Sequence, residues 1–343
     1  MTKRSAAPHI GLFDSGIGGL SVLRALRRQL PTARCSYIAD TAYTPWGDRP
    51  ADWVVARCAQ LSAWLIEQQG AKPGDDSADL VLVACNTATT QAIAALRLRW
   101  PGLPFVGVEP GIKPAVAASH KRRVAVLATR GTLGSARLRQ LVDQHADGTR
   151  LLQLPCPGLA EAIERDAGRS GAADGHDDKP DEDAAALAAQ LDAIAATLRD
   201  ADVDTVVLGC THYPLVADAL QQRLGPTVQL IDTADAVVRR VVSLLAAGNA
   251  GRRAGLDGSG GSGGSNSSNS NSNSNSSSSN SSNSSNSNSS DSSSNGGGPL
   301  RLLATGDTAT LQRAAQRWLA SGLVVERLDL PPPSVHGFKH HAV

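Results

Sequence analysis

Two stretches, Asp79-Leu80-Val81-Leu82-Val83-Ala84-Cys85-Asn86-Thr87-Ala88 and Asp204-Thr205-Val206-Val207-Leu208-Gly209-Cys210-Thr211-His212-Tyr213-Pro214, decide how this chain reads. In each, a short apolar run without polar alternation ends in a cysteine followed by a small polar cluster. A strand that is apolar on both sides must be covered on both sides, as the strands of parallel sheets are. Comparable runs stand at 10–13, 35–39, 105–108, 123–127 and 228–231. Ala-, Leu- and Arg-rich stretches with helical spacing lie between them, at about 19–29, 51–69, 87–99, 132–146, 184–199, 214–223 and 234–247. In the last of these, Ala236, Val237, Val241, Leu244 and Leu245 share one face. The alternation predicts an α/β fold. The recurrence of strand-then-Cys predicts two pseudo-symmetric, doubly wound parallel-sheet domains that face one another across a central cleft.

Residues 257–298 contain only Asp, Gly, Ser and Asn. Such a tract has no apolar side chain to offset the entropy of ordering it, so it reads as a disordered insertion. Strand-like 300–303, a helix at 308–320 and strand-like 323–328 follow it, so it interrupts a domain. The acidic stretch 168–183 reads as a solvated loop. The chain of 343 residues is 41% apolar and carries 33 basic against 32 acidic side chains, a formal net charge of +1. That balance argues against an extended nucleic-acid or anionic-membrane surface and favours a small-molecule partner. The first residues lack the apolar stretch of a secretion signal and no run is long enough for a membrane span, so a cytoplasmic protein is expected. Five cysteines, at 35, 58, 85, 156 and 210 with no Cys-x-x-Cys pair, fit neither a disulfide framework nor a zinc ribbon.

In parallel α/β sheets ligands bind beyond the carboxyl ends of the strands. Four of those ends carry polar clusters: Asp14-Ser15-Gly16-Ile17-Gly18-Gly19, Cys85-Asn86-Thr87, Thr129-Arg130-Gly131-Thr132, and Cys210-Thr211-His212. Cys85 and Cys210 thus occupy equivalent places, one thiol on each wall. A carbon acid between two thiols can lose a proton to one thiolate and receive one from the opposite thiol, which inverts the centre without a cofactor. A free thiol is mostly protonated at neutral pH, so each needs a polar neighbour; Asp14 and His212 are the candidates. The turn after Asp14, and helices starting near Asn86 and Thr211, would offer backbone N–H groups to a substrate carboxylate. Cys35, Cys58 and Cys156 read as packing residues, as do Trp53, Trp64 and Trp318 on their helices. Asp40 reads equally well as a functional residue and as a strand-end turn residue.

With these blocks together, and with Asp40-x4-Pro45-Trp46-Gly47 and Gly107-Val108-Glu109-Pro110, the chain resembles the bacterial glutamate racemases over about 9–250 and 299–330. The resemblance implies cofactor-independent interconversion of L- and D-glutamate for peptidoglycan synthesis. Cys85 would act on D-glutamate and Cys210 on L-glutamate, with Asp14, His212 and Glu164 assisting. Asp14, Ser15, Trp46, Gly47, Asn86, Thr87, Thr129, Thr132, Thr211 and His212 would bind substrate. It also implies a discontinuous first domain, 1–112 plus 232–343, around a second at 113–231. One departure stands out: Trp46 replaces the family tyrosine, so a hydroxyl contact is lost or replaced by an indole N–H donor.

Other readings remain. A racemase of another amino acid such as aspartate would keep both thiols and differ in the side-chain contacts. A catalytically weak binding homologue, or one that inhibits gyrase, would not need them, and a homodimer is left open. A dinucleotide site fails because Gly16-Ile17-Gly18-Gly19-Leu20-Ser21 has Ser where the fingerprint requires Gly. A metal held by Cys85, Cys210, His212 and Asp14 is chemically conceivable, but none is expected.

Overall fold

The computed structural model describes residues 7–67, 77–169, 182–257 and 297–334, without the side chains of 248–257. Most of the acidic loop and of the 257–298 tract lies outside the described residues. The two ends of the tract are placed. Asp257 closes a helix, and Gly298 donates its N–H to Pro31 O at 2.6 Å while its carbonyl accepts from Arg27 Nη1 at 2.7 Å.

The chain runs β1 (His9–Asp14), α1 (Leu20–Gln29), β2 (Arg34–Ala39), α2 (Ala51–Glu67), β3 (Leu80–Val83), α3 (Asn86–Arg99), β4 (Phe105–Gly107) and α4 (Ile112–Ala118). It continues through β5 (Arg123–Ala128), α5 (Arg130–Leu133), α6 (Ala136–His145), β6 (Arg150–Pro155), α7 (Leu159–Ala167), α8 (Glu182–Asp200), β7 (Thr205–Leu208), α9 (Ala217–Leu224) and β8 (Gln229–Ile231). Last come α10 (Ala234–Asp257), β9 (Leu300–Ala304), α11 (Thr308–Trp318) and β10 (Val325–Arg327). The strands form two sheets, β10-β9-β2-β1-β3-β4 and β6-β5-β7-β8, and every ladder is parallel.

The expected fold class is the observed one, and its pseudo-symmetry has a simple form. Both sheets contain the same order, second-first-third-fourth strand, with the chain crossing over its own first strand to place the third. Ligands collect at that switch point. Asp14 ends β1 and Thr129 follows β5; Cys85 follows β3 and Cys210 follows β7. The four polar clusters therefore occupy two pairs of equivalent positions.

β1, β3 and β7 are buried at every residue, which accounts for their unbroken apolar sequence. The edge strand β6 is not: Leu151, Leu152 and Leu154 are only half-buried between Arg150, Gln153 and Pro155. Its mixed sequence hid it from the periodicity argument. The short helix α4 and the helix α7 also escaped that reading. The stretch 132–146 is two helices, broken at Gly134, with Ser135 Oγ accepting the Leu138 N–H at 3.1 Å as the cap of the second. After Cys210 no α-helix starts at Thr211. Pro214 lies in a four-residue 3₁₀ turn, Tyr213–Val216, and α9 begins only behind it.

Asp40 proves to be structural. Arg57 and Asp40 are both fully buried, with Arg57 Nε donating to Oδ2 at 3.0 Å. A second guanidinium bond, from Nη2, reaches Oδ1. Removing one partner of such a pair leaves a buried charge uncompensated, at a cost of about 3–5 kcal/mol.

Candidate active site

The loop between β1 and α1 wraps around the Asp14 carboxylate. Oδ1 accepts the Ser15 N–H at 2.7 Å and the Ser15 hydroxyl at 3.3 Å, and Oδ2 accepts the Gly19 N–H at 2.5 Å. Oδ2 also accepts the Thr211 hydroxyl at 3.1 Å, a bond that reaches across to the other sheet. Burial raises the Asp14 pKa above the ordinary carboxylate value, against the charge of His212 and hydrogen bonds from Cys85 and Ser15. Cys85 caps α3, its thiol directed at Ser15 Oγ at 3.8 Å. Burial pushes this thiol well above its ordinary value, and the charges of Asp14 and Cys210 push it further. A neutral, proton-carrying thiol is the resting state on this wall.

The opposite wall is built differently. Cys210 Sγ lies 3.7 Å from His212 Nδ1, and His212 Nε2 lies 2.7 Å from Glu164 Oε1. Burial works against a charged imidazole, yet hydrogen bonds to Cys210 and Glu164 outweigh it and hold His212 well above the ordinary histidine value. An imidazolium beside Cys210 can support negative charge on that sulfur. The walls thus present unlike thiols: one kept neutral beside a carboxylate, one facing a cation.

The contacts between the walls are close enough to require glycine. A Cβ on Gly18 would stand 2.5 Å from His212 Nδ1, and one on Gly16 would overlap Glu164 Oε1 at 1.8 Å. Glu164 Oε1 also accepts the Ile17 N–H at 2.8 Å, and Ser21 Oγ donates to Thr211 O at 3.1 Å. On the other side of the site Thr87 Oγ1 and Thr129 Oγ1 are 3.1 Å apart, and Thr129 Oγ1 bonds Thr132 Oγ1 at 3.2 Å. A Cβ on Gly47 would meet Thr129 Cγ2 at 3.2 Å. Asn86 Nδ2 donates to Val108 O at 3.3 Å, which fixes the first turn of α3.

A model of the Asp/Glu/hydantoin racemase family matches residues 23–241. The chain belongs to that family. A glutamate racemase of Pseudomonas aeruginosa is 41% identical to it over 247 residues, spanning 72% of this chain and 84% of the relative. Among solved structures, a glutamate racemase of Bacillus anthracis superposes with a TM-score of 0.67 at 25% identity, covering 94% of this chain and 98% of the other. The Escherichia coli glutamate racemase, in complex with L-glutamate and the activator UDP-MurNAc-Ala, superposes at 0.64 with 26% identity over 94% and 98%.

The hydrogen bonds above bring Asp14, Ser15, Thr211, His212 and Glu164 together beside Cys85 and Cys210, and gather Thr87, Thr129 and Thr132 with Gly47 into a second group; Trp46 and Thr211 sit otherwise than the sequence suggests. Trp46 turns its ring into the apolar cluster that also holds Cys85, 1% exposed, and packs edge-on to Trp53 at 5.8 Å. Thr211 is not a helix N-terminus; its hydroxyl serves Asp14. No local motif marks Tyr37, on β2, or Ser21, on α1, as part of the site. Tyr37 OH donates to Gly16 O at 2.6 Å and so holds the middle of the glycine-rich loop. Cys35, Cys58 and Cys156 are buried free thiols; burial, with the charge of Cys210 next, pushes Cys156 up to about 12. Among the described residues no group of three or more His, Cys, Asp or Glu is placed to hold a metal ion, and no helix is long and apolar enough to cross a membrane. A cavity of about 820 Å³ whose lining includes neither thiol lies among residues such as Arg97, Phe105, Lys113, Arg137 and Arg240.

Proposed function

We propose that this racemase interconverts L- and D-glutamate by a two-base proton transfer between Cys210 and Cys85, with no cofactor, and that its product is the D-glutamate used in peptidoglycan. The observation that carries the mechanism is the pairing of the two thiols at equivalent strand ends, each with its own polar partner. Cys210, as thiolate beside the His212 imidazolium, takes the Cα proton of L-glutamate. The electron pair left on Cα is delocalised into the α-carboxylate, and the Cys85 thiol, linked through Ser15 Oγ to Asp14, gives its proton to the opposite face. Cys85 is then the thiolate and Cys210 the thiol, ready for the reverse reaction on D-glutamate. Glu164 holds His212 in its charged form, and Asp14 holds or returns the Cys85 proton. Backbone N–H groups at the start of α3 and the hydroxyls of Ser15, Thr87, Thr129, Thr132 and Thr211 bind the substrate carboxylates, with Asn86, Trp46 and Gly47 at the edge.

The choice of glutamate rests on the relatives' names and on the L-glutamate bound to the E. coli enzyme. We also read 1–112 with 232–343 as one domain and 113–231 as the other; the return of β9 and β10 to the first sheet supports this division. Circular-dichroism racemisation of L- and D-glutamate separately, with L-aspartate as control, tests the reading. Both glutamate enantiomers should decay to zero ellipticity while aspartate persists. Cys85→Ser and Cys210→Ser should each lose at least about 100-fold in kcat while keeping the parent's far-ultraviolet spectrum. Near-normal turnover by either variant refutes the two-thiol mechanism, and activity on aspartate alone moves the error to side-chain recognition.

A further inference from the structure

The turn that follows β2 is clamped by residues that arrive in the chain only after the 257–298 tract. Thr305, immediately past β9, donates its hydroxyl to Asp40 Oδ1 at 2.7 Å and receives the Ala42 N–H at 3.3 Å. Gly306 donates its N–H to Thr41 Oγ1 at 3.0 Å and approaches so closely that a Cβ on it would stand 2.7 Å from Ala42 N. Thr41 Oγ1 in turn donates to Asp307 O at 3.4 Å. Behind Asp40, Arg57 donates to Pro331 O at 2.7 Å and lays its guanidinium on the Tyr43 ring, 4.6 Å from the centroid. Three separate segments, α2, the chain after β9 and the chain after β10, thus converge on one turn.

That turn leads directly into the site. The Asp40 N–H donates to Asp14 O at 3.0 Å, and Asp40 O accepts the Tyr43 N–H at 3.0 Å. The next residues deliver Trp46 to the cluster that holds Cys85, and Gly47 to Thr129 across the cleft. A segment held at its root by so many bonds is preorganised before substrate arrives, which lowers the entropic cost of binding.

We infer that Thr305 and Gly306 are positioning residues for substrate binding: through Asp40, Thr41 and Ala42 they fix the segment that carries Trp46 and Gly47, so the returning C-terminal strand completes the active site. This rests on the glutamate racemase reading above. A clamp of this kind acts on the bound ground state and transition state alike, so its loss raises KM and leaves kcat nearly unchanged.

The test compares Thr305→Val, Thr305→Ser and Gly306→Ala in the full chain, by circular-dichroism kinetics from both glutamate enantiomers at a temperature well below each variant's melting point. Thr305→Val keeps the shape and loses the hydroxyl; its KM should rise about five- to tenfold with kcat within about threefold of the parent. Thr305→Ser restores the hydroxyl and should return KM to within about twofold, and Gly306→Ala should raise KM at least as much as Thr305→Val. A merely structural residue would lower the melting temperature and leave KM unmoved. Parental KM in Thr305→Val, or equal increases in the Val and Ser variants, overturns the inference. If Thr305→Val does not fold, parental KM in Gly306→Ala overturns it instead. A parent that fails to racemise glutamate overturns the functional reading, and this inference with it. A parent active on glutamate with unmoved variants overturns this inference alone.

Discussion

Glu164, on α7, accepts the Ile17 N–H of the loop after β1 at 2.8 Å. The same oxygen, Oε1, is 2.7 Å from His212 Nε2, so one carboxylate joins the two walls of the cleft and supports the charged imidazole beside Cys210. The arrangement couples one of the contacts between the walls to the state of His212.

Glu164→Gln keeps an amide oxygen for the Ile17 N–H and removes the charge. It should lower kcat about tenfold, since the Cys210 side loses its cation. His212 has a raised pKa in the folded protein, so the stability it contributes is complete below its unfolded value and is lost as pH rises through the folded one. The melting-temperature deficit of the variant should therefore be largest below the ordinary histidine value of about 6.5, and shrink as pH rises through the raised value of the folded protein and His212 becomes neutral. A deficit that is constant across the range, or grows with pH, would show that Glu164 does not act through His212.

Gly18→Ala tests the closeness of the walls. The added methyl would stand 2.5 Å from His212 Nδ1 and 2.7 Å from Thr211 Oγ1, so the imidazole or the loop must move. A displacement of this size from the reacting geometry should cost about 100-fold in kcat. The check is steady-state kinetics beside a thermal melt: a variant that folds and turns over normally means that the site is more open than described.

Much of this was legible beforehand, for a physical reason. Parallel strands buried on both faces must be apolar, and polar residues at their carboxyl ends are conspicuous by contrast; that is how Asp14, Cys85, Thr129 and Cys210 stood out. β6 was missed because an edge strand has only half-buried residues, and Leu151 to Leu154 sit among polar neighbours. The roles of Tyr37, Ser21 and Thr305 were not readable, because each acts through a contact with chain remote in sequence. Asp40 illustrates the limit: its neighbours in sequence say nothing of Arg57 or Thr305, which decide that it is a buried ion-pair partner.

Residues 258–296 lie outside the described residues, and their Asp, Gly, Ser and Asn composition offers no apolar side chain to a core. Replacing them with a Gly/Ser linker of about ten residues, while keeping Gly297 and Gly298 in place on the α1–β2 turn, should leave KM and kcat within about twofold and the melting temperature within about 3 °C. Differential scanning fluorimetry with the same kinetic assay checks this, and a large loss would assign the tract a structural role.

The two-base claim is tested most directly by initial-rate racemisation of L-glutamate in D₂O, with the enantiomers separated and each analysed for deuterium at Cα. Two thiols on opposite walls predict deuterium in the D-glutamate formed and none in the L-glutamate that remains, because the proton removed by Cys210 is not returned to the same face. Deuterium accumulating in recovered L-glutamate as fast as in the product would contradict the account and point to a single base serving both faces.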